Sequence, residues 1–229
     1  LIIDTIKAML KPEPAGWLHP LSFQWFSAND DIGLAKSRRR IMARNILAVI
    51  GSPRRNGNSA ALAKQVAAGA KKDGAKVETV FLQGLNIQPC TACDACRKKL
   101  KKDCIIKDDM KALYPKIQAA DGIVIASPIY WFTVSAQTKL FMDRWYALGG
   151  DDGYALAGKK FAVVLAYADA DPFASGAVNA LRTFQDAFNF IGAELVGTAY
   201  GSAWKAGEIK KNKALMDSAY ALGRKLAGA

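Results

Sequence analysis

NILAVIGSPRRNGNSAALAK, residues 45–64, is the stretch that decides how this chain folds. Ile46 to Ile50 is an unbroken aliphatic run, the make-up of a strand buried on both faces of a parallel sheet. A helical pattern opens at Ala60, so the residues between form a strand-to-helix turn. That turn, Gly51-Ser52-Pro53-Arg54-Arg55-Asn56-Gly57-Asn58-Ser59, combines small residues with hydroxyls, amides and cations. The first N–H groups of a helix have no partner inside it and carry partial positive charge, which suits a phosphate. Ser52, Asn58 and Ser59 are candidate extra donors, and Arg54 is the candidate charge partner. No Gly-Lys-Ser/Thr follows and no G-x-G-x-x-G is present, so neither the nucleoside-triphosphate loop nor the dinucleotide fingerprint applies. One such loop favours a monophosphate. The plain alternative is a connecting turn built on Asn-Gly chemistry.

Outward from this unit the alternation repeats. Val77 to Leu82, Gly122 to Ala126, Phe161 to Tyr167 and Glu194 to Tyr200 read as further strands. Helical patterns cover Ala60 to Lys72, Ser135 to Trp145, Gly176 to Asn189 and Lys210 to Leu226. Asp108 to Ala119 is a fifth candidate, with Pro115 expected to kink or restart it after Tyr114. Five strands alternating with helices predict an α/β doubly wound five-stranded parallel sheet, with a cysteine-containing insertion after the second strand. Ligands of such sheets sit at the carboxyl ends of the strands.

The insertion, residues 85–108, holds every cysteine of the chain: Cys90, Cys93, Cys96 and Cys104, spaced C-x2-C-x2-C-x7-C. The first spacings suit consecutive thiolates wrapping one face of a cubane 4Fe-4S cluster, with Cys104 as the fourth ligand. Structural zinc more often uses two separated C-x2-C knuckles, and disulfide frameworks belong to small secreted domains. Zinc and free or redox-sensing thiols remain the other readings.

Composition describes a chain with a full core: 229 residues, 51% hydrophobic and 23% charged. No apolar run approaches the roughly 18 residues that span a bilayer. Asp4 and Lys7 interrupt the start, against a secretory signal, and the expected location is the cytoplasm. A net charge of +12 raises nucleic acid as a partner, yet the cations are scattered and no groove-reading motif is present. Attraction for anionic cofactors or an acidic electron carrier such as a ferredoxin fits better. Within the insertion, Arg97, Lys98, Lys99, Lys101 and Lys102 are the candidate docking surface, or else a solvated loop offsetting thiolate charge.

Residues 1–43 read as an N-terminal extension, a weakly ordered or packing arm, with a membrane- or partner-binding segment as the alternative. Met42-Ala43-Arg44-Asn45 resembles a native start. Residues 44–229 form the main domain, and the sole histidine, His19, lies outside it, so a histidine triad is not expected.

The third strand runs into Pro128-Ile129-Tyr130-Trp131-Phe132, a Pro-stiffened aromatic loop that can flank a planar ring. Those aromatics could equally be core. Lys139 and Asp143 lie at i,i+4 in the next helix, and Asp143-Arg144 reads as structural.

Taken together, GSPRRNGNS, PCTACDACRKKLKKDCIIKDDM and ADGIVIASPIYWFTVSAQTKLFMDRWY resemble the NADPH-dependent FMN reductase branch of the flavodoxin-like superfamily, and within it the iron-sulfur flavoproteins. The resemblance covers roughly residues 45–202 and is silent on the first 43. It implies that Ser52, Arg54, Asn56, Asn58 and Ser59 surround the phosphate and ribityl chain of FMN. It also implies that Pro128, Ile129, Tyr130, Trp131 and Phe132 contact the isoalloxazine. A homodimer or homotetramer follows from it, with the cluster of one subunit near the flavin of another. The implied activity is FMN-dependent transfer of electrons between NAD(P)H or a ferredoxin-like donor and a small acceptor, through the cluster. A cluster-free NAD(P)H:flavin or quinone reductase, a non-enzymatic electron carrier and a zinc-stabilised interaction domain without flavin are the alternatives.

Overall fold

A computed structural model describes residues 44–98 and 104–228. The readings of residues 1–43, His19 included, and of Lys99, Lys101 and Lys102 lie outside the described residues. In chain order the elements are β1 (Asn45–Ile50), α1 (Asn58–Lys72), β2 (Lys76–Phe81), α2 (Met110–Ala119) and β3 (Gly122–Tyr130). There follow α3 (Ala136–Asp143), β4 (Lys160–Tyr167), α4 (Ala177–Ile191), β5 (Glu194–Ser202) and α5 (Lys213–Ala227). The five strands pair in parallel in the order β2-β1-β3-β4-β5, the flavodoxin-like arrangement expected above. The cysteine segment connects β2 to α2.

Because side chains alternate across a strand, the aliphatic runs divide between two cores. Leu47, Val49, Ile123, Ile125, Phe161, Val163 and Leu165 face α2, α3 and α4. Ile46, Ala48, Ile50, Val124, Ala126, Ala162, Val164 and Ala166 face α1 and α5. The first core is rich in large rings: Phe161 and Phe188 stack at 4.3 Å, and Trp145 packs against both. In the second, small residues let α1 and α5 approach closely. A Cβ built at Gly69 would collide with the Tyr220 carbonyl, and one at Gly223 with that of Val66.

Differences from expectation concern element ends and short pieces. No restart occurs at Pro115: α2 is one helix running through it. The missing N–H would have bonded the Lys111 carbonyl, and the exposed proline leaves that group to solvent. Residues Arg144–Leu148 form a 3-10 turn rather than the end of α3, and another, Glu208–Lys211, precedes α5. Thr133–Val134 adds an antiparallel pair to the end of β3, and Gly149–Gly150 pairs with Gly153–Tyr154 in a small hairpin. No helix among the described residues is long and apolar enough to cross a membrane.

Candidate functional site

The carboxyl ends of β1, β3, β4 and β5 border one cleft, lined by Ser52, Arg54, Gly57, Asn58 and Ser59 on one side and Pro128, Ile129 and Tyr130 on another. The two loops meet because a buried hydroxyl network joins their bases. Ser135 Oγ donates to the Gly51 carbonyl at 2.7 Å and caps α3 by accepting from Thr138 N–H. Ser127 Oγ accepts from Ser135 N–H at 3.0 Å. Gly51 is needed here, since a Cβ would strike Thr138 Oγ1.

At the phosphate end, α1 begins at Asn58 with Gly57 as cap and no acidic residue in its first turn. Ser52 Oγ accepts from Arg54 N–H at 3.1 Å, and Gly57 N–H donates to the Arg54 carbonyl at 3.0 Å, folding the loop into a ring. Ser59 is 1% exposed, and its hydroxyl has no hydrogen-bond partner. A buried, unpaired hydroxyl costs free energy unless a ligand meets it, so its presence on the cleft wall fits an anion there.

The other loop residues divide. Of the two arginines, Arg54 lines the cleft, whereas Arg55 stacks on Phe81 with its guanidinium carbon 4.3 Å from the ring centre. Asn58 lies on the wall, but its amide is engaged: it donates to the carbonyls of Ala203 and Lys205 and accepts from Ile209 N–H. Asn56 is exposed, accepts from Lys64 Nζ and is not on the wall. Trp131 and Phe132 also fall outside the lining; both are exposed and hold left-handed backbone, φ 47° and 64°. For non-glycine residues that conformation costs roughly 1–2 kcal/mol each.

Sequence reasoning missed the walls after β4 and β5: Tyr167, Ala168, Ala203, Trp204 and Ala206. The available signal was position alone, since in a doubly wound sheet every strand's carboxyl end reaches this edge. Glu208 shapes the last of these loops by accepting from Trp204 and Lys205 N–H. Those bonds, the Lys205 one first, hold its carboxyl below the usual range.

A second pocket brings together all four cysteines, with Thr91, Asp94, Arg144 and Tyr146 among its walls. It shares no lining residue with the cleft. Left-handed Ala92 (φ 50°) and Asp94 (φ 53°) curl the chain between Cys90 and Cys96. Arg97 is not a free cation: it donates to Tyr154 OH at 3.0 Å and lies over the Tyr146 ring. These contacts orient the guanidinium but leave it charged and half-exposed, and Lys98 is exposed. Tyr146 OH in turn donates to Asp94 at 2.8 Å.

Arg144 is 1% exposed and ion-paired with Asp108, which it grips with both terminal nitrogens. Burial would raise the Asp108 carboxyl, but the bonds from Arg144 and from the N–H groups of Gln88 and Met110 outweigh it, leaving the pKa below the ordinary value. Among the described residues, no three His, Cys, Asp or Glu side chains are gathered as a single metal ion requires. The donor set, four thiols lining one pocket, is of the soft kind that iron-sulfur clusters and zinc both use.

A parallel sheet in this order, with a helix N-terminus and an aromatic loop facing one cleft, defines a flavodoxin-like α/β protein. The chain belongs to the NADPH-dependent FMN reductase family, whose model matches residues 44–205. It is 39% identical over 99 residues to an iron-sulfur flavoprotein of Methanosarcina thermophila, covering 43% of this chain and 51% of that protein. An iron-sulfur flavoprotein of Methanocaldococcus jannaschii is 35% identical over 143 residues, 62% of this chain and 70% of that one. The chain spans about half the length of the first curated relatives it matches. Among solved structures, an NAD(P)H:quinone oxidoreductase from Methanothermobacter marburgensis superposes with TM-score 0.64 at 16% identity, covering 82% of this chain and 99% of that one, which supports the fold.

Proposed function

We propose that this chain is an FMN-dependent NAD(P)H oxidoreductase of the iron-sulfur flavoprotein type. It would move electrons between NAD(P)H or a ferredoxin-like donor and a small acceptor, with a 4Fe-4S cluster on Cys90, Cys93, Cys96 and Cys104. The observation that carries the flavin reading is the unpaired Ser59 hydroxyl, buried in the wall of a cleft that also holds the start of α1. A monophosphate is completed by one helix N-terminus and one cation, here Arg54; a pyrophosphate needs more.

When bound, FMN supplies two-electron chemistry with NAD(P)H and one-electron exchange with carriers. The residues of this chain bind and orient it. Ser52, Ser59 and the first N–H groups of α1 hold the phosphate, and Arg54 balances its charge. Asn58 acts indirectly, by tying the loop after β5 to the start of α1. Pro128, Ile129, Tyr130, Tyr167 and Trp204 provide apolar walls for the ring. Asn56, Trp131 and Phe132 lie outside that lining and remain proposed contacts, Asn56 with the phosphate and ribityl chain, Trp131 and Phe132 with the isoalloxazine. No side chain is required as a general base.

The cation-rich insertion is the proposed approach for an acidic carrier, and a homodimer or homotetramer the proposed assembly. Thiols of this kind stay reduced in the cytoplasm, where we place the protein. A cluster-free NAD(P)H:flavin or quinone reductase is the second reading, supported by a flavin cleft that shares no lining residue with the cysteine pocket. Replacing Cys90, Cys93, Cys96 or Cys104 singly by Ser and measuring iron, sulfide and flavin after anaerobic reconstitution separates the two. Loss of iron with flavin retained supports the cluster; a parent protein that takes up no iron yet oxidises NAD(P)H with an added acceptor supports the second reading.

A further inference from the structure

Among the described residues, one fully buried cation reaches the cysteine loop: Arg144, at the start of the 3-10 turn after α3. Its guanidinium reaches three parts of the loop at once. Nη1 donates to the Gln88 carbonyl at 2.8 Å, two residues before the first cysteine. Both terminal nitrogens hold Asp108, four residues after the last cysteine. Nη2 also donates to Cys104 Sγ at 3.3 Å. Asp108 completes the clasp by accepting from Gln88 N–H at 2.8 Å and Met110 N–H at 3.1 Å. Tyr114, from α2, fixes the turn by donating to the Arg144 carbonyl at 3.2 Å.

A buried ion pair costs desolvation that offsets much of its attraction, so stability alone is a weak account of it. The geometry offers another. A planar fork that spans a carboxylate, a carbonyl and a sulfur fixes their mutual positions, which a flexible ammonium does not. Groups that hydrogen-bond metal ligands tune both retention of the metal and its potential.

We propose that Arg144 is a positioning residue for the cysteine centre: it closes the loop between Gln88 and Asp108 and presents an N–H to the sulfur of Cys104. This rests on the reading that the thiols hold an iron-sulfur cluster. An N–H donor and a buried positive charge beside a ligand sulfur favour the more negative, reduced form of the centre, so Arg144 raises its reduction potential.

The test compares the parent with Arg144→Lys and with the double variant Asp108→Asn/Arg144→Gln, which leaves no unpaired buried charge if the single change misfolds. Each is reconstituted anaerobically with iron and sulfide. Iron release to a chelator and the potential of the bound centre are then measured by spectroelectrochemistry, with FMN retention reporting the fold, since the cleft shares no lining residue with this pocket. The expected result is iron release about 10–100-fold faster in the double variant. The remaining centre is expected at a lower potential, with FMN retained in all three proteins and Arg144→Lys intermediate. A potential equal to the parent's in the double variant overturns the proposal, whatever the iron release, because a tether without a bond to sulfur leaves the bound centre's electronics alone. A parent that binds no iron with all four thiols reduced overturns the underlying cluster reading, and this proposal with it.

Discussion

Ser59 makes an unusual demand on a mutation: its loss should weaken the ligand complex without weakening the protein. The buried hydroxyl has no partner in the chain, so Ser59→Ala removes an unsatisfied group and leaves the flavin-free protein as stable or slightly more so. The same change should cost FMN binding about 1.5–3 kcal/mol, the worth of a hydrogen bond to a charged acceptor. Thermal melting of the apoprotein and fluorescence titration of FMN give the two numbers, and unchanged FMN affinity would refute the assignment. Asn58→Ala should behave differently, lowering stability by about 1–3 kcal/mol because three bonds to the loop after β5 are lost. Asp108 carries the pH dependence. Its carboxyl titrates lower in the folded chain than its unfolded value of about 3.9, so its contribution is complete above that value and lost as pH falls through the folded one. The stability gap between parent and Asp108→Asn, about 3–5 kcal/mol for a broken buried pair, should therefore be full at pH 6 and shrink below about pH 4 in urea unfolding.

At the scale of elements, α1 and α5 are the sensitive pair. Gly69→Ala or Gly223→Ala places a methyl against a carbonyl of the opposite helix, which neither rotamer change nor solvent relieves. Each should lower stability by about 1–3 kcal/mol, read as a drop in the urea midpoint at constant slope. A loss below half a kilocalorie at both sites would mean the helices part easily. The five strands were legible because buried parallel strands are continuous aliphatic runs, and Ile46–Ile50 with the turn after it located the cleft. What was illegible depended on geometry that spacing does not encode. Nothing in the sequence says that Arg54 faces the cleft while Arg55 turns to Phe81, or that Asn58 serves the loop after β5. Trp204 and Tyr167 join the site only through sheet order. Arg144 read as structural from its place in a helical pattern; it lies instead in the 3-10 turn after α3, which ends two residues short of that pattern, and from there it reaches Cys104. Pairs of two residues, such as Thr133–Val134, are too short for any periodicity.

For the whole molecule, charge sets encounter. With a net charge of +12, association with an acidic carrier should slow as salt shortens the Debye length from the 8–10 Å of physiological conditions. Stopped-flow association rates with a ferredoxin, for the parent and for the Lys98, Lys99, Lys101 and Lys102 to Gln variant, measure this. Equal rates at low salt would leave those lysines as a solvated loop. The central claim, that a flavin mononucleotide is held at the start of α1, is tested most directly by purifying the protein anaerobically, releasing its flavin by denaturation and identifying it. About one FMN per chain is expected, with FAD absent, since a single helix N-terminus and one cation complete a monophosphate. Stoichiometric FAD, or a chain with affinity for neither flavin, would contradict it.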